Sequence, residues 1–406
     1  MKFSKDTQIQ NLIQKQEQLQ KNQIDLIASE SYAPQAVLNA LGSVLGDKYA
    51  EGRPGKRYYP GNVLCDKIEL LAQKRALNLF NLSSKQWHAD TQGYSGAIAN
   101  SEIYRALLRP GDVFLSLDLM SGGHLSHGST VSITGKLYKA YHYIVDDSYH
   151  INYQQIEKLA KKYKPKLIVS GASAYPFKID FKKIGAIAKK YNAYHLADIS
   201  HYAGLISAGI YPSPFGYADV VMSTTHKSLF GPRSAIIWSR VELADTIDKT
   251  VFPGLQGGPH MHTIAGVAVG LRIAKKSKSY YKQVLKNARA FASELIQLGA
   301  DVIGGGTESH LLLVNTRKFN LHGGEAERLL ESVGILANRN MIQGDISVQK
   351  PSAIRIGTYA ITQRGMKEKE SKEIAQLIVG VLSKKISISE AKKIVQNLTK
   401  RFPIVR

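Results

Sequence analysis

The sequence predicts an α/β fold with a mostly parallel central sheet, and three features predict it. Short apolar runs at residues 113–117, 167–170, 193–197 and 218–222 alternate with amphipathic helical stretches. The runs are largely continuous in apolar character, as strands covered on both faces are. Past Gly304-Gly305-Gly306 the order of elements changes to strand, helix, strand and two closing helices, which marks a smaller α+β unit. The expected division is an N-terminal arm over residues 1–47, a large domain over 48–275 and a small C-terminal domain over 276–406. A chain of 406 residues is long enough for two cores.

Taken in order, residues 5–21 are polar with sparse apolar positions at Ile9, Leu12, Ile13 and Leu19, as in a surface or partner-contacting helix. A second helix is expected over 34–45. Residues 48–61 set Tyr49, Tyr58 and Tyr59, four basic residues and Glu51 among Gly and Pro. That composition suits a rigid polar-aromatic wall rather than a strand or helix. A helix is expected over 65–80. Another opens at Ser95-Gly96-Ala97 and ends before Arg109-Pro110-Gly111. The strand 113–117 runs into a loop, 121–128, rich in Gly and His. A helix over 181–191 precedes the strand that ends at Asp198. The strand 218–222 leads into Thr224-Thr225-His226-Lys227. Residues 251–261 read as a Gly/Pro-rich loop. Helices are expected from about 263 to 275, over 281–298 and over 325–332, with strands at 310–315 and 353–356.

Composition narrows the classes. Hydrophobic residues make up 44% of the chain, ordinary for a globular protein. No apolar run approaches the roughly 18 residues of a membrane helix. Residues 1–22 are rich in Lys and Gln and lack the apolar segment of a secretory signal. Cys65 is the only cysteine, which excludes an internal disulfide and fits a reducing cytosol. With 54 Lys and Arg against 32 Asp and Glu, the net charge is +22. The lysines fall mostly on helical polar faces and carry no interleaved aromatic motif, so a solvated surface is preferred to a nucleic-acid site.

Asp198 and Lys227 follow successive strands, at the edge where open α/β sheets bind ligands. A lysine at a buried strand end is poorly hydrated. Its charged form is disfavoured, its pKa falls, and its amine can form a Schiff base. Pyridoxal phosphate needs this lysine and the types around it. Asp198 would pair with a protonated pyridine nitrogen. His124 could stack on the ring. Ser95, Gly96 and Ala97 would hold a phosphate at a helix N-terminus. Arg355 could clamp an amino-acid carboxylate. Taken singly, other readings stay open. Asp198 could cap a helix starting at Ile199. His124 and His127 are spaced like metal ligands, though no third ligand is near. His201 could be a core histidine and Arg355 half of a structural ion pair.

The motifs together resemble serine hydroxymethyltransferase from about residue 24 to 403. They are Leu26-Ile27-Ala28-Ser29-Glu30, Lys48-Tyr49-Ala50-Glu51-Gly52, Pro54-Gly55-Lys56-Arg57-Tyr58-Tyr59, Gly122-Gly123-His124-Leu125, Asp198 with His201-Tyr202-Ala203-Gly204-Leu205, Thr224-Thr225-His226-Lys227, Gly231-Pro232-Arg233, Phe252-Pro253-Gly254 and Gln256-Gly257-Gly258-Pro259. The resemblance implies an aspartate-aminotransferase-like fold and a homodimer with shared active sites. The reaction would move the hydroxymethyl carbon of L-serine to tetrahydrofolate. Lys227 would carry the cofactor, Asp198 face its pyridine nitrogen, His124 stack on it and His201 approach its phenolic oxygen. Ser173, Thr224 and His226 would belong to the same site. Ser29 and Arg355 would hold the substrate carboxylate, and Glu51 would handle protons at the hydroxymethyl group. Tyr49, Glu51, Tyr58, Tyr59 and Gly257 would reach in from the partner subunit. Leu119, Gly123, Leu125 and Asn340 would line the folate site.

The chain departs from the family pattern in three places. Ser95-Gly96-Ala97 stands where Ser-Gly-Ser is usual, which removes one hydroxyl from the phosphate cradle. The segment 342–352 is shorter than usual and lacks an aromatic, which affects the folate pocket. Ser234-Ala235 replaces Gly-Gly, a packing variation. Two other functions compete. One is a folate-independent aldolase of β-hydroxy amino acids on the same fold. The other is a basic nucleic-acid-binding protein, which would bind in a salt-sensitive way.

Overall fold

The four expected strands between residues 113 and 222 fall in one seven-stranded sheet in the computed structural model, which describes residues 6–347 and 349–406. Residues 1–5 of the expected arm, and Val348 in the short 342–352 segment, lie outside the described residues. The spatial order is Trp87–Asp90, Ala235–Arg240, Val220–Thr224, Tyr194–Asp198, Leu167–Ser170, Val113–Leu117, Lys139–Tyr143. Ala235–Arg240 runs antiparallel to both of its neighbours, and the pairs from Val220–Thr224 to Lys139–Tyr143 are all parallel.

Side chains on successive strand residues point to opposite faces. Leu167 and Val169 pack into one apolar cluster with Ile103, Phe114, Leu196 and Val220, while Ile168 packs into another with Leu115, Ala197, Val221 and Trp238. Both faces are therefore apolar, which is why these strands read as continuous runs. The helix Phe181–Lys190 shows how a covering helix is specified. Phe181, Ile184, Ile187 and Ala188 form its buried face. Asp180 caps it through Lys183 N at 3.0 Å, and Lys189 and Lys190 lie at its negative end.

Three strands of this sheet are additions to the expected ones. Lys139–Tyr143 is a half-exposed, polar edge strand. Trp87–Asp90 is only four residues long and Ala235–Arg240 follows the lysine loop directly. Residues 48–61 are also corrected: Gly52–Arg53 and Lys56–Arg57 pair as a short hairpin. Gly55 at φ 76° makes its turn. The second helix is Gln35–Leu41, shorter than expected because Gly42 ends it, and a 3₁₀ turn follows at Val44–Asp47.

A separate four-stranded antiparallel sheet holds Asp301–Val302, Leu311–Asn315, Ala353–Gly357 and Asn338–Asn340. Three helices rather than two follow it, Tyr359–Gln363, Glu368–Leu382 and Ile388–Arg401. Ile24–Asp25 pairs in parallel with Ile335–Leu336, so the chain's first strand lies against its late elements. Arg364 fastens the same region. Its guanidinium donates to the carbonyls of Gln20 (3.4 Å), Gln23 (2.7 Å), Lys21 (2.9 Å), Phe402 (2.6 Å) and Thr399 (3.2 Å). The helix Thr7–Asn22 has no buried residue and shows Ile9, Leu12 and Ile13 to solvent. No helix among the described residues is long and apolar enough to cross a membrane.

Candidate active site

The parallel strands deliver their carboxyl ends to one cavity of ≈ 300 Å³. Tyr194–Asp198 ends at Asp198, and Val220–Thr224 ends at Thr224, three residues before Lys227. The turn that carries Lys227 is pinned from several sides. Gly231 N donates to Thr225 O at 2.9 Å, and Thr225 Oγ1 donates to Pro232 O at 2.6 Å. Phe230 takes φ 56°, which doubles the chain back. Tyr281 OH donates to Ser228 O at 2.6 Å, and Ser31 Oγ donates to His226 O at 2.8 Å. The lysine is thus held by backbone contacts on both sides of it.

Eleven of the expected residues line the cavity: Ser29, Ser95, Gly96, Ala97, His124, Ser173, Asp198, His201, Thr224, His226 and Lys227. Asn100, His127, Ala172, Ser200, Met222, Arg233 and Glu30 also line it and were not expected there. Arg355 stands just behind, buried, with Nη1 on Ser173 O at 2.7 Å and Nε on Asn338 Oδ1 at 3.1 Å.

The remaining expected residues do not line this cavity. Tyr49, Tyr58 and Tyr59 are exposed, and Glu51 and Gly257 lie together on the same side of the chain. Leu119 and Leu125 are exposed on the loop after Val113–Leu117, and Asn340 ends the strand Asn338–Asn340. Gly123 has a conformational reason of its own: a Cβ there would collide with the Leu117 carbonyl.

Charge in the cavity is sharply sorted. Burial of the Lys227 amine pulls its pKa down to about 8, against the pull of Asp198 in the other direction. Lys227 lines the cavity and is half-buried as a residue. Burial opposes ionisation of Asp198, but the hydrogen bonds from His127 and Ser200 and the charge of Lys227 hold it well below the usual carboxylate range. Ser200 N donates to Asp198 Oδ1 at 3.0 Å. Asp198 therefore caps a turn, while the helix proper starts at Ala203 with Tyr202 as its cap. Burial lowers His124 to about 4 and His226 to about 3, and takes His201 well below its ordinary value. His124 and His127 bond to Ser126 and Asp198 rather than facing a common ligand point.

One end of the cavity is built for an anion. The helix Gly96–Leu107 starts there, and Ser95 at its N-cap makes no side-chain capping bond. Its hydroxyl and the first backbone N–H groups are free for a ligand. Gly96 lies against Thr224, whose Cγ2 would be 2.5 Å from any Cβ added there. Thr224 Oγ1 and His226 Nδ1 are buried without a partner among the described residues, as expected of groups awaiting one.

The family model for serine hydroxymethyltransferase matches residues 3–378. The chain belongs to the serine hydroxymethyltransferase family. A probable serine hydroxymethyltransferase of Mesomycoplasma hyopneumoniae strain 7448 is 48% identical over 98% of this chain and 97% of that relative. Its counterparts in strain 232 and strain J are each 47% identical over the same shares. Serine hydroxymethyltransferases are pyridoxal-phosphate enzymes that use tetrahydrofolate. The cavity's donor set fits such a cofactor: an anion cradle, a carboxylate, a nucleophilic lysine and a histidine ring.

Proposed function

We propose that this chain transfers the hydroxymethyl carbon of L-serine to tetrahydrofolate, giving glycine and 5,10-methylenetetrahydrofolate, with pyridoxal phosphate bound covalently at Lys227. The observation that carries the reading is a lysine whose amine is held near pKa 8 in the same cavity as Asp198 and a free helix N-terminus. Bound there, the cofactor supplies an electron sink for the charge left on Cα when the Cα–Cβ bond breaks. The chain's own residues do the rest. Ser95 and the backbone of Gly96 and Ala97 hold the phosphate. Asp198, kept ionised, would pair with the pyridine nitrogen. His124 would cover the ring and His201 would serve its phenolic oxygen. Arg355 and Ser29 receive the substrate carboxylate.

Glu51 is the proton-handling group at the hydroxymethyl carbon. It does not line the cavity of its own chain, and Tyr58 near it is 72% exposed. Both facts support a homodimer in which Tyr49, Glu51, Tyr58, Tyr59 and Gly257 complete the partner's site. Leu119, Gly123, Leu125 and Asn340 are assigned to the folate wall. The domain division at 275 keeps the two main sheets whole, since the large sheet lies within residues 87–240 and the small one within 301–357, while the arm contributes Ile24–Asp25 to a pairing with Ile335–Leu336. Lone Cys65 supports a reducing, cytoplasmic location.

Two measurements test the reading. Lys227→Ala should abolish the visible absorbance of the covalently bound cofactor; its persistence would overturn the lysine assignment. Serine cleavage should be strongly stimulated by tetrahydrofolate. Equal rates without folate would instead establish the folate-independent aldolase.

A further inference from the structure

Four residues outside the expected site form one continuous polar chain beneath it. Tyr104 OH lies 3.0 Å from His127 Nδ1, and His127 Nε2 lies 3.1 Å from Asp198 Oδ2. Asn100 Nδ2 reaches the same Oδ2 at 3.2 Å and Ser126 Oγ at 2.9 Å. Ser126 Oγ lies 2.7 Å from His124 Nδ1. Tyr104, Asn100, Ser126 and His127 are all buried.

The direction of every proton in this chain follows from two fixed points. Ionised Asp198 can only accept, so His127 Nε2 and Asn100 Nδ2 must both donate to it. At the other end the backbone N–H of Ser126 also points at His124 Nδ1, at 3.2 Å. A backbone N–H can only donate, so His124 Nδ1 is an acceptor and its ring proton sits on Nε2. Ser126 Oγ accepts from Asn100 and gives its own proton to His124. Tyr104 OH finds its acceptor in His127 Nδ1, which leaves His127 neutral with its proton on Nε2. A doubly protonated His127 would strand the buried Tyr104 proton without an acceptor.

We propose that Tyr104, His127, Asn100 and Ser126 are positioning residues that order the protons of the site, holding Asp198 as an anion and His124 as a neutral ring with Nε2 as its sole donor. This rests on the cofactor reading above. An anion opposite the pyridine nitrogen favours the protonated, electron-withdrawing ring. A neutral His124 covers that ring without repelling it, whereas an imidazolium would set cation against cation. Arrangement of donors before the ligand arrives spares the site that reorganisation during the reaction.

The test is nitrogen-15 NMR of the full chain with labelled histidine, without cofactor and then with it. His124 and His127 should both appear neutral and protonated at Nε2 in each state. Tyr104→Phe should give His127 a mixture of tautomers. In parallel, His127→Leu should weaken cofactor binding by roughly three- to tenfold, while His127→Gln, which keeps a donor to Asp198, should stay near the parent. An Nδ1–H tautomer or a doubly protonated ring at either histidine in the parent would overturn the proposal. So would equal loss in His127→Leu and His127→Gln. The cofactor-free spectra stand even if no cofactor binds, so a failed cofactor assignment is seen separately.

Discussion

Lys227 is an expensive residue in the cofactor-free protein. Its amine is carried from an ordinary value of 10.5 to about 8, which corresponds to on the order of 3 kcal/mol favouring the neutral form. The sign follows from linkage: between about pH 8 and 10.5 the unfolded chain binds the extra proton, so stability rises with pH across that window. Below pH 8 the full penalty remains. Lys227→Met should therefore stabilise the cofactor-free chain at pH 7 by about 1–2 kcal/mol, since the lost partner of Asp198 offsets part of the gain. The advantage should shrink as pH rises above 8, read by denaturant unfolding at several pH values. The same amine should capture pyridoxal phosphate faster as pH rises, with a midpoint near 8. A capture rate independent of pH would separate nucleophilicity from the burial described here.

At the scale of elements, two contacts invite measurement. Gly96 opens the helix Gly96–Leu107 hard against Thr224. Gly96→Ala should push the helix start from its strand and weaken cofactor binding about tenfold, with little change in global stability. Arg364 ties the ends of the helices Thr7–Asn22 and Ile388–Arg401 through five carbonyls. Arg364→Ala should cost about 3 kcal/mol and speed hydrogen exchange in Thr7–Asn22 first. Elements of this kind were unevenly legible in the sequence. The strands ending at Ser170, Asp198 and Thr224 are apolar on both faces, so they stand out. Lys139–Tyr143 does not, because its burial is set by what covers the sheet's edge. Asp198 and Lys227 could be named because strand ends are where such sheets bind ligands. Asn100 and His127 could not, because their meaning is a contact with Asp198 across 98 and 71 residues. Tyr104 reads as one more apolar position on the Gly96–Leu107 helix until its hydroxyl is placed on His127.

For the whole molecule, the bearing fact is that Glu51 does not line the cavity of its own chain. Two variants silent on their own, Lys227→Ala and Glu51→Gln, should regain part of the parent activity when mixed and allowed to exchange subunits. Lack of recovery after demonstrated exchange would confine each site to a single chain. The +22 charge bears on the folate. A polyglutamylated folate should show a Michaelis constant that climbs with salt while the monoglutamate form does not; salt-independent values for both would make the charge a matter of surface composition.

The placement of Ala235–Arg240 carries a consequence for synthesis. Among the described residues, Trp87–Asp90 pairs with the large sheet only through that strand, and Ile24–Asp25 pairs only with Ile335–Leu336. Chain leaves the ribosome at roughly 5–20 residues per second. Trp87–Asp90 then waits about ten seconds or more for its partner, and Ile24–Asp25 longer still. During that interval the nascent protein exposes an unpaired edge and the apolar residues Ile24 and Leu26, which are buried in the finished fold. Chaperone dependence should therefore be decided by the order of translation rather than by the stability of the finished fold. A circularly permuted gene that brings residues 220–240 out before 87–90 should need less help to reach the same structure.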